Sequence, residues 1–301
     1  MEIEIRPPVP FTLYHLRRIY SPYDDLSCCW RGDVLYLVFE SECSHYLLKI
    51  KESGTPDQSV LQVTISSNFD PFPHLSDIFS FNDDLLGFYR STESDPVMGK
   101  LIRRYYGTRT HHTRNFFESA VIAILEQQIS MNVASTLRKR FVERFGQGPI
   151  HCDGYAFYAF PKPQDVAMVS IDDLREIGMS LNKARAIHSL ADVLTDGSFQ
   201  SYFLSPQFPR ESIEKLIALK GIGTWSAQYI LTRGLSWPDI VAYADLGLRK
   251  AISHYYRGGK MVTIDECQEF FERFSPWKHL AGFYFLMDHI ENGKYYNVIE
   301  K

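Results

Sequence analysis

One aspartate, Asp245, stands where a carboxylate could do chemistry. It lies between a loop, residues 234–244, and an apolar helical pattern over residues 246–251. An aspartate at the start of a helix commonly caps free backbone N–H groups, and the same helix end favours its ionised form. A fixed anion can also stabilise positive charge that develops in a transition state. The position therefore suits a helix cap, a catalyst, or both.

A short glycine motif precedes this aspartate. Residues 212–219 place apolar side chains on one helical face, and residues 224–231 begin a second helix after Lys220-Gly221-Ile222-Gly223. The two glycines permit a tight hairpin with positive φ, and Ile222 can fill the space between the flanking helices. Free N–H groups where the second helix begins, at Gly223 or Thr224, can bind a phosphate. Alone, such a turn is more often purely structural; the order hairpin, loop, aspartate favours a functional site.

Two regions must position these residues. β-rich runs over residues 34–39 and 60–66, with turns at 53–56 and 70–73, indicate an α+β domain. From about Arg114 onward, apolar residues recur at spacings of three and four, which predicts helices. We therefore expect an α+β N-terminal domain over residues 1–110 and an all-helical domain over residues 111–301.

The net charge of −4 hides an uneven distribution. Residues 1–100 contain 8 Lys and Arg against 15 Asp and Glu, whereas residues 101–150 contain 8 against 3. The second segment is a local basic footprint that suits phosphate binding. A solvated helical face would give the same count.

The cysteines and the N-terminus point to a protein of a reducing compartment. The five cysteines lack the paired spacings of a zinc or iron–sulfur site, and the ten histidines form no transition-metal pattern. No signal peptide or membrane-spanning run is evident. We expect free thiols and a cytoplasmic protein with no membrane association.

The motifs together resemble the helix-hairpin-helix DNA glycosylases, and among them the bacterial 3-methyladenine DNA glycosylase II group. Besides the hairpin and Asp245, four further segments match in order: residues 124–130, 160–164, 177–186 and 276–282. The resemblance spans roughly residues 110–290. It implies a monomeric enzyme that binds double-stranded DNA, extrudes a damaged nucleotide and hydrolyses its N-glycosidic bond. Asp245 would stabilise the oxocarbenium-like sugar and orient or activate the attacking water.

The resemblance also implies a base pocket. Trp225, Tyr229 and Trp277 match the aromatic residues that line the family's cleft for the extruded base. Their electron-rich faces would attract cationic bases such as 3-methyladenine and 7-methylguanine; core packing is the alternative role for these rings. Relatives that also cut the backbone carry a lysine two residues after the second glycine. Trp225 stands there, so we expect a monofunctional enzyme without lyase activity.

The remaining DNA contacts come from two turns. In the family, the turn matching Gln127-Gln128 wedges into the gap that the extruded base leaves. The best-known member has an apolar wedge, whereas this chain has Gln128; an ordinary surface pair is the alternative. The residues expected to contact DNA are Gln127, Gln128, Ser130, Gly221, Ile222, Gly223, Thr224 and Ser226. The family's hairpin carbonyls also suggest a monovalent cation, Na or K, at Ile217, Leu219 and Ile222, and no other cofactor is expected.

Two other functions remain open at the level of sequence. The chain could be a glycosylase for a deaminated or oxidised base. It could also be a non-catalytic module that uses the hairpin only to bind DNA. Asp245, Trp225 and Trp277 together argue against the second, because a simple phosphate clamp needs none of them.

Overall fold

Alternating apolar residues in one segment near residue 2 and in four segments between residues 28 and 65 build a five-stranded antiparallel sheet in the order β1-β5-β4-β3-β2. The structure is a computed structural model that describes residues 1–21, 24–41, 44–65 and 70–292. The strands are β1 (Glu2–Ile5), β2 (Cys28–Arg31), β3 (Val34–Ser41), β4 (Ser44–Ser53) and β5 (Val60–Ile65). In β3, Leu35 and Leu37 face the main core opposite Ile50 and Leu48 of β4. The strands predicted around residues 34–39 and 60–66 are confirmed up to Ile65, and Ser66 lies outside the described residues.

A hairpin of two strands covers the other face of this sheet. β6 (Gln147–Cys152) and β7 (Tyr155–Ala159) are joined at Asp153 and Gly154, both with positive φ. Phe157 of β7 stacks on Tyr36 of β3 with ring centroids 4.7 Å apart. The helical pattern did not predict this insertion into the helical region. Asp-Gly is a typical hairpin turn, so a signal for it was present.

Helices make up most of the remaining chain. Three follow the sheet and precede residue 110: α2 (Phe72–Ile78), α3 (Leu85–Thr92) and α4 (Met98–Arg104), while α1 (Tyr14–Tyr20) lies between β1 and β2. The others are α5 (Phe116–Glu126), α6 (Met131–Phe145), α7 (Pro163–Ala167), α8 (Ile171–Glu176), α9 (Leu181–Thr195), α10 (Pro209–Ile217), α11 (Thr224–Tyr229), α12 (Leu246–Tyr256), α13 (Ile264–Phe271) and α14 (Lys278–Asn292). A π-helical turn, Ile230–Gly234, extends α11. The predicted succession of an α+β region and a helical region is confirmed.

The central helix is α5. Every residue from Phe116 to Leu125 is buried, which explains its continuous apolar sequence. Its N-cap Asn115 accepts a hydrogen bond from the Glu118 N–H, and its last residue, Glu126, opens into the turn before α6. One hydrophobic core includes residues from both regions, so the proposed domain boundary at residue 110 stays a prediction.

The remaining expectations concern membrane-spanning segments and the state of the cysteines. Among the described residues, no helix has both the length and the apolar character needed to cross a membrane. Cys28, Cys29, Cys152 and Cys267 are free thiols, and Cys43 lies outside the described residues.

Candidate active site

The glycine motif forms a turn between α10 and α11. Gly221 has a φ of +81°, and a Cβ added to it would collide with the side chain of Ala186. Gly223 has a φ of −98° and is the N-cap of α11, so the expectation of positive φ holds only for Gly221. Ile222 is 4% exposed and packs in the core, as the hairpin pattern predicts.

A second turn, between α5 and α6, is tied to this hairpin. The Gln127 side-chain amide donates to the Gly221 carbonyl (2.8 Å) and to the Ser226 hydroxyl (2.9 Å). The Lys183 ammonium donates to the carbonyls of Leu125 (2.5 Å) and Gln127 (2.9 Å), which caps the C-terminus of α5. The two turns that were expected to contact DNA therefore form one connected surface.

The two glutamines of this turn have different surroundings. Gln128 is exposed and has a φ of +57°, so it stands at the tip of the turn. Gln127 is turned inward, toward the hairpin. Gln128 is therefore the residue of this turn that is free to enter the DNA stack, whereas the Gln127 side chain connects the turn to the hairpin.

Two serines expected at DNA have structural hydrogen bonds. Ser130 is exposed and is the N-cap of α6, where its hydroxyl accepts from the Val133 N–H (3.4 Å). Ser226 is 1% exposed, and its hydroxyl accepts a hydrogen bond from the Gln127 side-chain amide. The backbone N–H groups of Thr224 and Ser226 belong to the first turn of α11, where N–H groups have no intrahelical acceptor.

Asp245 is the N-cap of α12, and both of its carboxylate oxygens accept hydrogen bonds. Oδ1 accepts the Leu248 backbone N–H (2.9 Å), and Oδ2 accepts the Trp225 indole N–H (3.1 Å). The carboxylate is partly exposed. The predicted cap is confirmed, and the accessible, fixed carboxylate leaves room for a catalytic role as well.

Asp245 lies in the wall of a cleft of about 1070 Å³. The cleft is large enough for a nucleobase with part of its sugar. Trp225 and Tyr229 also line it, with their ring centroids 5.4 Å apart and their planes at 35°. Gln127, Gln128 and Ser130 form its rim beside the α5–α6 turn. Two aromatic rings, a carboxylate and the exposed Gln128 thus line one cleft.

The structure does not bring Trp277 to this cleft. Trp277 directly precedes α14, where its backbone N–H donates to the Phe274 carbonyl (2.7 Å). Its ring is half-buried against the core. The cleft wall nearby is formed instead by residues of α14 itself: His279, Gly282, Phe283, Leu286, Met287, His289 and Ile290.

Sequence reasoning missed several polar residues of the cleft. They are Tyr20 of α1, Glu126 of α5, Arg233 of the π turn, Lys250 of α12 and His289 of α14. Glu126 directly precedes the Gln127-Gln128 turn, and this position could have marked it as a candidate site residue. Tyr20 and His289 come from helices distant in sequence, and no local pattern connects them to the motif.

Burial shifts the pKa of Glu126 and His289, and also that of Tyr229. The pKa of Glu126 is raised by burial and by the negative charge of Asp245, and Arg138 and Arg233 oppose the shift. Burial also raises the pKa of Tyr229 above its ordinary value. Burial lowers the pKa of His289, against the effect of Asp245. The cleft therefore carries two carboxyl groups, Asp245 and Glu126, in different surroundings.

The basic footprint over residues 101–150 is only partly a surface feature. Arg109 is 3% exposed and donates to the carbonyls of Ser80 and Asp83. Arg114 pairs with Glu118 at 2.5 Å, and Arg138 pairs with Asp25 at 3.0 Å. Arg114 also donates to the carbonyls of Ser27 and Val38, so Arg114 and Arg138 connect the N-terminal region to the helical region, whereas the bonds of Arg109 lie within the N-terminal region. The remaining cations are exposed: Arg103, Arg104, Lys139, Arg140 and Arg144.

The sheet-and-helix fold, the hairpin and the aspartate cleft define a helix-hairpin-helix protein. A family model described as the HhH-GPD superfamily base excision DNA repair protein matches residues 121–276. The DNA-3-methyladenine glycosylase of Bacillus subtilis (strain 168) is 30% identical over 211 residues, which cover 70% of this chain and 69% of that protein. The chain therefore belongs to the HhH-GPD superfamily, as the motifs predict.

Solved structures show the same fold over nearly the whole chain. The 3-methyladenine DNA glycosylase from Archaeoglobus fulgidus has a TM-score of 0.78 at 22% identity, covering 97% of this chain and 99% of that one. The Clostridium acetobutylicum 8-oxoguanine glycosylase/lyase in complex with double-stranded DNA has a TM-score of 0.79 at 17% identity, covering 97% and 98%. The similarity includes the N-terminal sheet region, which the motifs matched only loosely.

Proposed function

We propose that this protein is a monofunctional DNA glycosylase that removes alkylated purines, such as 3-methyladenine and 7-methylguanine, from double-stranded DNA. The observation that carries this proposal is the Asp245 carboxylate, held by two N–H donors in the wall of a cleft beside Trp225 and Tyr229. The name of the Bacillus subtilis relative, DNA-3-methyladenine glycosylase, supports the substrate class.

The reaction follows from the position of the charge. As the bond between C1′ and the base nitrogen breaks, the bonding electrons leave with the base and the sugar becomes positive. Asp245 stabilises that charge and orients a water molecule, whose oxygen forms the new bond to C1′ and whose released proton passes to the solvent. A base alkylated on a ring nitrogen is a cation before the bond breaks, so it leaves as a neutral molecule without a separate proton donor.

The aromatic wall supplies the selectivity. A cationic base stacked on the Trp225 or Tyr229 face gains about 0.5–2 kcal/mol per contact over a neutral base. The exposed Gln128 fills the gap in the DNA stack, and the N–H groups of Gly223, Thr224 and Ser226 hold a backbone phosphate. One cleft takes one nucleotide, so a monomer suffices.

A monovalent cation at the hairpin belongs to the same proposal. The carbonyl of Ile217 ends α10, and those of Leu219 and Ile222 belong to the turn that follows. The helix-end carbonyl of Ile217 lacks an intrahelical donor, and the Leu219 carbonyl, which accepts the Ile222 N–H (3.1 Å), keeps a second lone pair. Neutral oxygens suit hard cations, so these residues fit Na or K. When bound, the ion would supply positive charge beside a phosphate.

The absence of lyase activity rests on Trp225 at the position of the lyase lysine. Lys250 also lines the cleft, on α12 after Asp245. Because Lys250 does not stand at the position of the lyase lysine, we expect no covalent complex when the protein is mixed with abasic DNA and borohydride. A strong trapped complex that disappears in Lys250→Ala would replace hydrolysis with a lyase mechanism.

The deciding experiment measures free bases released from methylated duplex DNA in single turnover. We expect 3-methyladenine and 7-methylguanine from the native protein, and a loss of at least about 100-fold in Asp245→Asn with DNA binding retained. Asp84→Asn is the matched control, because Asp84 also caps a helix, α3, far from the cleft. DNA binding without release of any alkylated base would leave another lesion or a binding module as the function.

A further inference from the structure

Glu126 is a polar group of the cleft for which the hydrolysis of the glycosidic bond gives no role. It is the last residue of α5, directly before the wedge turn, and it lines the same cleft as Trp225, Tyr229 and Asp245. It also lines a smaller cavity of about 80 Å³, which shares Tyr229 and Arg233 with the cleft. Glu126 is therefore part of the wall of the space that an extruded base would enter.

The Glu126 carboxyl group has no hydrogen bond or ion pair within the part of the chain that the structure describes. The other interior carboxylates differ: Asp245 accepts two N–H groups, Glu118 pairs with Arg114, and Asp25 pairs with Arg138. An unpaired carboxyl group in a partly buried place costs free energy. A ligand that brings hydrogen-bond donors would remove that cost.

The charges around Glu126 define what it can bind. Burial and the negative charge of Asp245 raise the pKa of Glu126, whereas the positive charges of Arg138 and Arg233 favour its ionised form. A cation placed between Glu126 and Asp245 would relieve both effects. Two carboxyl groups in one site with different surroundings usually have different roles.

We infer that Glu126 is a specificity-determining residue that recognises the extruded base by accepting hydrogen bonds from its amino or ring N–H groups and by pairing with its positive charge. This inference rests on the proposed function and names its base-recognition residue. The ligand class is a purine that is both cationic and a hydrogen-bond donor. A deaminated purine keeps a ring N–H donor but is neutral, so the same carboxylate would bind it less strongly than a cationic purine.

The two carboxylates act on different steps. During bond breakage the positive charge moves from the base to the sugar. Asp245 on the sugar side stabilises the transition state, whereas Glu126 on the base side stabilises the bound cation before the bond breaks. Glu126 therefore contributes to capture of the base and to selectivity more than to the rate of the chemical step.

The test is a binding measurement that does not depend on turnover. A duplex with one 7-methylguanine on a 2′-fluorinated sugar resists cleavage, because fluorine destabilises the positive sugar. We compare its affinity with that of the unmodified duplex and of a duplex with a tetrahydrofuran abasic site. We expect Glu126→Gln to lose about tenfold or more of the preference for the methylated duplex and to bind the abasic duplex like the native protein. Glu143→Gln, an exposed glutamate on α6, controls for the change in net charge.

The outcomes separate the two proposals. An intact preference for the methylated duplex in Glu126→Gln overturns the inference, whatever the protein excises. Equal losses for the methylated and abasic duplexes overturn it too, because they show a structural role. Absence of base release from ordinary methylated DNA by the native protein contradicts the proposed function, and it leaves the binding result to be judged by itself.

Discussion

The Trp225 indole N–H and the Asp245 Oδ2 atom are joined by a hydrogen bond of 3.1 Å between residues 20 positions apart. The bond connects the helix after the hairpin to the N-cap of α12. Because the backbone N–H of Leu248 holds the other oxygen, the carboxylate is fixed before DNA binds. Preorganised charge of this kind is the most effective form of electrostatic catalysis.

This hydrogen bond can be removed while the aromatic ring is kept. In Trp225→Phe, the carboxylate loses one of two donors, and we expect the single-turnover rate of base release at saturating enzyme to fall by about tenfold or more. Stacking on the base is largely retained, so the affinity for alkylated DNA should change less than the rate. An unchanged rate would show that the indole N–H does not position Asp245.

Trp277 is not among the residues that line the cleft. We therefore expect its substitution, unlike that of Trp225, to have little effect on base release. The family resemblance assigns Trp277 to the base pocket, but the structure places its ring against the core. We expect Trp277→Phe to release alkylated bases within about twofold of the native rate, because the phenyl ring retains most of the packing. A loss as large as that of Trp225→Phe would restore Trp277 to the pocket.

The two neighbouring glutamines should separate stability from function. Gln127→Ala leaves the buried Ser226 hydroxyl without its donor, and we expect the free energy of unfolding in urea to fall by about 1–3 kcal/mol. Gln128 is exposed, so Gln128→Ala should unfold like the native protein. It should instead bind and excise less well, because a smaller side chain fills the DNA stack poorly. If Gln128→Ala lowered the free energy of unfolding and Gln127→Ala impaired only binding and excision, the roles assigned to the two glutamines would have to be exchanged.

The parts that the sequence predicted are those that local rules govern. Glycine in a tight turn, aspartate at a helix start and apolar spacing along α5 each follow from a few adjacent residues. Tyr20, Glu126 and His289 meet in the cleft only because α1, α5 and α14 pack together, and no local rule expresses that. The hydrogen bonds of Gln127 to the hairpin were not predicted, because a side chain pointing inward or outward at a turn leaves no mark in composition. For Trp277, a matched motif fixes the place in the chain but not whether the residue lines the cleft.

The two hairpin glycines should differ in their tolerance of a side chain. Gly221 has positive φ and lies against Ala186, so we expect Gly221→Ala to lower the free energy of unfolding by at least about 1–2 kcal/mol. Gly223 has an ordinary extended φ and open space around its Cα atom. Gly223→Ala should therefore stay within about 1 kcal/mol of the native protein. Equal losses in urea denaturation would contradict the assignment of strain to Gly221 alone.

Two buried histidines, His112 and His279, should make the fold sensitive to acid. Their rings lie 5.3 Å apart, and His112 contacts the Thr110 hydroxyl and the Thr232 carbonyl through its two ring nitrogens. Burial, reinforced by Arg233, lowers the pKa of His112 to about 3, and burial holds the pKa of His279 well below 6.5.

The sign of the effect follows from proton uptake. Below about pH 6.5 the unfolded chain protonates both histidines whereas the folded protein does not, so the free energy of unfolding falls as the pH falls. Each histidine contributes up to about 1.4 kcal/mol per pH unit. Urea denaturation at several pH values between 6.5 and 5 measures this slope. We expect His112→Gln to reduce it by about one proton, and His151→Gln, which removes an exposed histidine, to leave it unchanged. A slope that His112→Gln does not alter would mean that His112 is protonated in the folded protein.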